Sequence, residues 1–205
     1  MKLVAQGAGP VNAAARMIDA PVYLIDVGLE QDTSDIEGVL TQKVIRGTHF
    51  GHPAMDDEVT AAAISVGMSV GKTLAGQGIE VIGLGNIGER SMLSALAVTT
   101  AIMKEDLKKA SEKTGFALNI SDVGDFAKDP VGTLSIVGSA EIAALFGLVV
   151  EAARCNMMVV FDNAVTGAAV LGAVTAYPEI RNFVIPSVYY LSLIHISEPT
   201  RLRCI

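Results

Sequence analysis

Residues 80–93, EVIGLGNIGERSML, carry the pattern that decides the fold class. Glu80 to Ile82 reads as a short strand, Gly83-Leu84-Gly85-Asn86-Ile87-Gly88 matches G-x-G-x-x-G, and a helix follows with Met92, Leu96, Met103 and Leu107 at helical spacing. Such a loop can cradle a phosphate, because glycine admits close backbone approach and the first amides of a helix have no internal acceptor. A dinucleotide site also needs an acidic residue about 20 positions on, after the next strand, to hold the ribose. Glu105 and Asp106 fall there, but in a helix tail running into Lys108, Lys109 and Lys113, cations suited to a helix C-terminus that Gly115 can stop. The loop is therefore expected to hold the phosphate of some ligand other than NAD or FAD. Arg90 and Ser91 add a charged fork and a hydroxyl to the backbone donors. The plainer alternative is a glycine turn that only lets helix and strand pack.

The same alternation runs outward. Pro10 suits a first helical position, with Val11, Ala14, Ala15 and Ile18 on one face, and Val22 to Val27 is a buried strand. Gln31 to Phe50 is a connection with one strand at Lys43 to Ile45. Asp56 or Asp57 caps a helix marked by Val59, Ala63, Val66, Val70 and Leu74, which Gly76 and Gly78 end. Ser139 caps a helix from Ala140 to Cys155, Met157 to Phe161 is a buried strand followed by Asp162 and Asn163, an apolar helix spans Val165 to Tyr177, and Phe183 to Pro186 is a last strand. This order predicts an α/β fold, a doubly wound parallel sheet with helices on both faces and sites at the strand C-terminal ends.

Composition narrows the partners. A formal charge of -7 over 205 residues and a pI near 4.9 argue against nucleic acid. Mean hydropathy is +0.47, yet Ala61 to Leu74 contains Lys72, and Ile142 to Cys155 contains Glu151 and Arg154, so no membrane span is expected. Cys155 and Cys204 make no disulfide framework and no signal peptide precedes them, which fits a cytoplasmic protein. The residues after Met1, KLVAQGAGPVNAAARM, read as the inside of a domain rather than its edge.

Five stretches taken in order, QGAGPVNAAARMIDAPVYLIDVGL (6–29), GTHFGHPAM (47–55), GLGNIGERS (83–91), DPVGTLSIVGSAEIAALFG (129–147) and VVFDNAVTGAAVLGA (159–173), resemble the nicotinate-nucleotide–dimethylbenzimidazole phosphoribosyltransferase family over roughly Gln6 to Ser187. The resemblance implies a Rossmann-like α/β domain with a smaller helical part, in a homodimer. It implies transfer of ribose 5-phosphate from nicotinate mononucleotide to 5,6-dimethylbenzimidazole or a related base, giving the lower ligand of a cobamide such as vitamin B12, without cofactor or metal. In such chemistry nicotinate leaves, positive charge grows on the ribose, and a carboxylate takes the proton of the attacking nitrogen.

Carried over by position, the family's Gly-Glu-Met-Gly-Ile-Gly-Asn-Thr-Thr falls on Gly85 to Leu93: Gly85 and Gly88 match, Asn86 replaces the glutamate, and Ser91, Met92 and Leu93 replace Asn-Thr-Thr. Val-Gly-Gly-Phe-Glu falls on Val137 to Glu141, with Ser139 and Ala140 as departures; Asp162 matches the aspartate after the following strand, and Asn163 replaces its glycine. The implied substrate and phosphate set is Gly85, Asn86, Gly88, Glu89, Arg90, Ser91, Gly138, Ser139, Glu141 and Asp162. The family's glycine-rich phosphate loop has no counterpart in Lys104 to Asp129. Its N-terminal base-pocket part is absent, and its catalytic glutamate lies beyond the end of this chain, so the fragment alone is expected to be inactive, with Glu89 the nearest substitute. Leu191 to Arg201, LSLIHISEPTR, resembles the in-frame translation of a transposon-end sequencing adapter. Residues 1–190 then form one α/β domain and 191–205 a non-native tail, in which His195 and Cys204 carry no functional meaning. Two alternatives are a non-catalytic paralogous subunit in a heterodimer and a nucleotide-binding oxidoreductase.

Other residues weigh differently. His49 and His52 lack a third ligand nearby and read as a loop pair rather than a zinc site. Glu141 either faces a ligand or favours a helix dipole. Asp26 and Asp162 both end strands; function is the reading for Asp162, while capping or packing serves equally for Asp26. Cys155 reads as a small buried side chain.

Overall fold

The computed structural model describes residues 1–48, 53–88, 91–103 and 129–187. The expectations for His49, His52, Glu89, Arg90, Leu107, the lysines 108, 109 and 113, and the tail from 191 lie outside the described residues.

The chain opens with α1 (Lys2–Ala5) and α2 (Pro10–Met17), then β1 (Leu24–Asp26) and β2 (Val39–Thr41). Pro10 does start α2, where its missing N–H has no helical role. The face of Val11, Ala14, Ala15 and Ile18 is not a buried one: α2 buries no residue, and Ile18 lies beyond the helix, 77% exposed. β2 falls at Val39–Thr41 rather than at Lys43 to Ile45, and pairs in parallel with β1, Leu24 opposite Val39. Val44 and Ile45 instead pack against the core as partly buried side chains.

α3 (Asp57–Gly76) is capped by Asp56, whose Oδ1 accepts from the Val59 amide at 2.7 Å. Gly78 ends it in the left-handed region at φ +78, with Ile79 N–H reaching the Leu74 carbonyl, and delivers the chain to β3 (Val81–Gly83). The periodicity was legible, but the buried stripe is Thr60, Ala63, Gly67, Gly71 and Leu74, with the valines at its margin. A β-carbon at Gly67 would lie 2.7 Å from the Leu148 nitrogen and overlap the Ala144 carbonyl, and one at Gly147 would lie 2.8 Å from the Ile64 carbonyl carbon. The small stripe thus lets two helix backbones touch. By length and composition α3 could cross a membrane, against the expectation that Lys72 excludes it. Its glycine face is packed on α6.

α4 (Ser91–Met103) follows the glycine loop, then α5 (Pro130–Val137), α6 (Ala140–Arg154), β4 (Met158–Phe161), α7 (Ala164–Ala176), a 3₁₀ turn (Pro178–Phe183) and β5 (Val184–Pro186). α5 has no counterpart among the sequence expectations; Asp129 caps it through the Gly132 amide at 2.9 Å, and Pro130 takes its first position. α6 ends as α3 does, with Asn156 at φ 58 and Met157 N–H bonded to the Ala152 carbonyl at 2.8 Å. All strand pairs are parallel, giving a two-stranded β1-β2 sheet and a three-stranded β3-β4-β5 sheet among the described residues. This is a Rossmann-like α/β fold. Val159 on the central strand is fully buried with Ile142, Val149 and Ala143 of α6 and Ala169 and Ala173 of α7.

Candidate active site

Parallel pairing sends the C-terminal ends of β3, β4 and β5 to one edge, with Gly83 opposite Val160 and Phe161 opposite Pro186. Leu84 N–H donates to the Val160 carbonyl and Ser187 N–H to that of Phe161, both at 2.8 Å, which fixes the loops leaving that edge. Beyond β4, Asn163 closes the start of α7: its Oδ1 accepts from the Val165 amide at 3.0 Å and the Thr166 amide at 3.1 Å, and Thr166 Oγ1 accepts from the Asn163 amide at 3.2 Å. Asp162 is exposed beside it, its Oδ1 taking a 3.0 Å bond from Asn163 Nδ2.

The glycine loop meets the start of α6. Ser91, the first residue of α4, donates its hydroxyl to Glu141 Oε1 at 2.7 Å, a contact across 50 residues of sequence. Gly88 makes this possible, since a β-carbon there would overlap Ser91 Oγ and lie 3.1 Å from Glu141 Oε1. Gly83 and Gly85 have nothing within 4 Å of the place a β-carbon would take, so the loop between strand and helix borders open space. None of these three glycines has positive φ; only Gly88 is needed, for closeness.

Glu141 is delivered by the turn between α5 and α6. Gly138 packs so tightly there that a β-carbon would lie 2.9 Å from Leu134 Cα. Ser139 stands at the N-cap of α6, but its hydroxyl makes no capping bond, contrary to the sequence reading. It is 3% exposed and its Oγ has no partner, a state shared by Ser94 Oγ, one turn beyond Ser91. Of the expected site residues, Gly85, Asn86, Gly88, Ser91 and Asp162 occupy the strand-to-helix connections after β3 and β4, and Gly138, Ser139 and Glu141 the turn between α5 and α6. Ser94 was missed, because nothing in one sequence marks a serine inside a helix as lacking a partner.

The first sheet approaches the same helix start: a β-carbon at Gly28 would lie 3.4 Å from Ala140 Cβ. Behind Gly28, buried Asp26 accepts from the Gly28 amide at 3.0 Å, the Leu29 amide at 2.8 Å and the Thr33 hydroxyl, with Lys43 Nζ at 3.3 Å. Burial pushes this carboxyl up, but the bonds from Thr33, Leu29, Lys43 and Gly28 outweigh it and hold it below the ordinary value. Lys43 also donates to the carbonyls of Leu29, at 2.8 Å, and Gln31. Asp26 therefore organises the loop after β1, and packing is its observed role. Among the described residues no three metal-ligating side chains gather. A surface hollow beside α1 and α2, lined by Val4, Asn12, Arg16 and Leu24, includes none of the expected site residues.

A glycine loop, converging helix starts and carboxylates at the C-terminal edge of a parallel sheet define the class of α/β proteins that take small ligands at that edge. The phosphoribosyltransferase family profile matches residues 1–191. The nicotinate-nucleotide–dimethylbenzimidazole phosphoribosyltransferase of Acetivibrio thermocellus is 29% identical over 200 residues, covering 89% of this chain and 56% of that protein. The enzyme of that name from Geotalea uraniireducens is 30% identical over 198 residues, covering 87% of this chain and 55% of its own length. The crystal structure of the Thermus thermophilus enzyme superposes with a TM-score of 0.78 at 24% identity, over 90% of this chain and 58% of that one. The chain belongs to the nicotinate-nucleotide–dimethylbenzimidazole phosphoribosyltransferase family, and it spans about half the length of the curated relatives it matches.

Proposed function

We propose that the protein containing these residues transfers the phosphoribosyl group of nicotinate mononucleotide to 5,6-dimethylbenzimidazole or a related base, the lower-ligand step of cobamide assembly. The observation that carries this reading is the Ser91–Glu141 bond, which joins two separate family motifs at the edge where a Rossmann-like sheet takes its ligand. The bond from ribose C1′ to nicotinate breaks as that to the incoming nitrogen forms, and the proton of that nitrogen passes to a carboxylate. Gly85, Asn86, Gly88, Ser91, Gly138, Ser139, Glu141 and Asp162 line the substrate, with Glu89 and Arg90 completing the loop by sequence. The same reading takes residues 1–190 as one domain of a cytoplasmic homodimer.

The test uses the full-length protein with nicotinate mononucleotide and a series of benzimidazole and phenolic acceptors, following products by liquid chromatography and mass spectrometry. Equimolar nicotinate and base nucleotide are expected. Asn86, standing where the family pattern has glutamate, favours a second reading, a non-catalytic subunit paired with a paralogue. Binding of nicotinate mononucleotide without turnover on any acceptor supports that one.

A further inference from the structure

We propose that the buried Asp26–Lys43 pair is a positioning device: it fixes the loop after β1 as the support against which the first turn of α6 is set. This rests on the phosphoribosyl reading above, in which that turn lines the substrate. The two residues act through Gly28 and Ala140, not by contact with a ligand.

Asp26 ends β1 with its side chain fully buried, and that of Lys43 is 16% exposed. One carboxylate oxygen takes the Gly28 and Leu29 amides, and the other takes the Thr33 hydroxyl and faces Lys43 Nζ. The three protons of that ammonium meet three acceptors, Asp26 Oδ2 and the carbonyls of Leu29 and Gln31. On the other side, the Val44 N–H donates to the Val27 carbonyl at 2.9 Å and the Gly47 N–H to that of Gly28 at 2.8 Å. The loop is thus held both from within and by the backbone that follows β2.

Two charges lose their hydration on burial, and packed apolar residues of the same volume stabilise as well or better. What such a pair contributes instead is one definite geometry, here that of Gly28. A β-carbon on Gly28 would lie 3.4 Å from Ala140 Cβ and 3.1 Å from Ile45 Cγ2, so the loop backbone meets the start of α6 directly. Ala140 is the first residue of α6, between Ser139 and Glu141. That helix start needs outside support. Side chains of Asp56, Asp129 and Asn163 cap α3, α5 and α7, whereas Ser139 makes no capping bond for α6.

The test separates position from stability in the full-length protein. Asp26→Asn combined with Lys43→Met removes both charges and keeps both shapes, so the melting temperature should stay within a few degrees of wild type. Affinity for nicotinate mononucleotide, by isothermal titration, should nevertheless fall about tenfold, because the turn is no longer held in place. Amide hydrogen exchange across residues 139–143, where the Ala143 N–H bonds the Ser139 carbonyl at 3.0 Å, should quicken severalfold. Thr33→Val, which takes one donor from Asp26, is the milder variant and should move both readouts the same way. Leu74→Ala, a cavity at the far end of α3, should lower the melting temperature and move neither readout. Undiminished affinity or unchanged exchange in the charge-free variant overturns the inference and leaves the phosphoribosyl reading standing. So does an equal loss of affinity in Leu74→Ala. Wild-type binding of NAD but not of nicotinate mononucleotide overturns the phosphoribosyl reading itself, and the exchange measurement then still decides whether the pair holds the turn.

Discussion

Gly67→Ala sets two ordinary effects against each other, and the structure decides the sign. In an exposed helix interior the change stabilises by about 1 kcal/mol, since alanine has less backbone freedom to lose. At Gly67 the new methyl would stand 2.7 Å from the Leu148 nitrogen and 2.8 Å from the Ala144 carbonyl carbon, where ordinary contact begins at 3.4 Å. The obstacle is helix backbone, so α3 and α6 must part by more than half an ångström along their glycine-lined seam. Overpacking of this kind costs about 1–3 kcal/mol, and more when no side chain can yield. With backbone as the obstacle the cost falls at the top of that range, so a net loss of about 2 kcal/mol remains after the propensity gain, or about 4–8 °C in melting temperature for a chain of this size. Thermal melts by circular dichroism read it directly. Gly76→Ala is the control, because nothing lies within 4 Å of that site and its φ is not positive; it should be neutral or slightly stabilising. A Gly67→Ala protein as stable as wild type would refute the packing reasoning.

Three other outcomes follow from the same geometry. Asp26 titrates below its ordinary value when folded, so its contribution is present at neutral pH and lost as pH falls from about 4 through the lowered value. Asp26→Asn, which leaves Lys43 without its carboxylate, should cost about 2–4 kcal/mol in urea unfolding at pH 7 and much less at pH 3; an equal loss at both would contradict the ionic account. Asn163→Ala removes the acceptor of two amides at the start of α7 and should cost about 1–2 kcal/mol, against a few tenths if the cap were idle. Gly88→Val should drive Ser91 from Glu141 and weaken nicotinate mononucleotide tenfold or more with little change in melting temperature; undiminished affinity in titration would remove the loop from the site.

Local chemistry made much of the fold legible. Asp56 ahead of an apolar periodicity, Gly78 at a helix end and Pro10 at a helix start each act within a few residues of themselves, and each does what its type dictates. The stripe of α3 shows where such reading stops. Valines mark the period, but the surface that touches α6 is chosen for small size, a requirement set by a helix distant in sequence. α2 fails for the opposite reason: it touches the short α1, yet none of its residues is buried. At the site, the glycine loop and Glu141 were both readable as candidates, yet their meeting through Ser91 is tertiary and has no sequence signal. Ser139 was readable as a cap and, through the resemblance, as a substrate residue, but its missing capping bond and its burial without a partner have no sequence signal.

The most direct measurement is a crystal structure of the full-length protein bound to nicotinate mononucleotide. The ligand should lie along residues 83–88 at the C-terminal edge of β3 and β4, within reach of the start of α6. A ligand seated away from that edge would contradict the account.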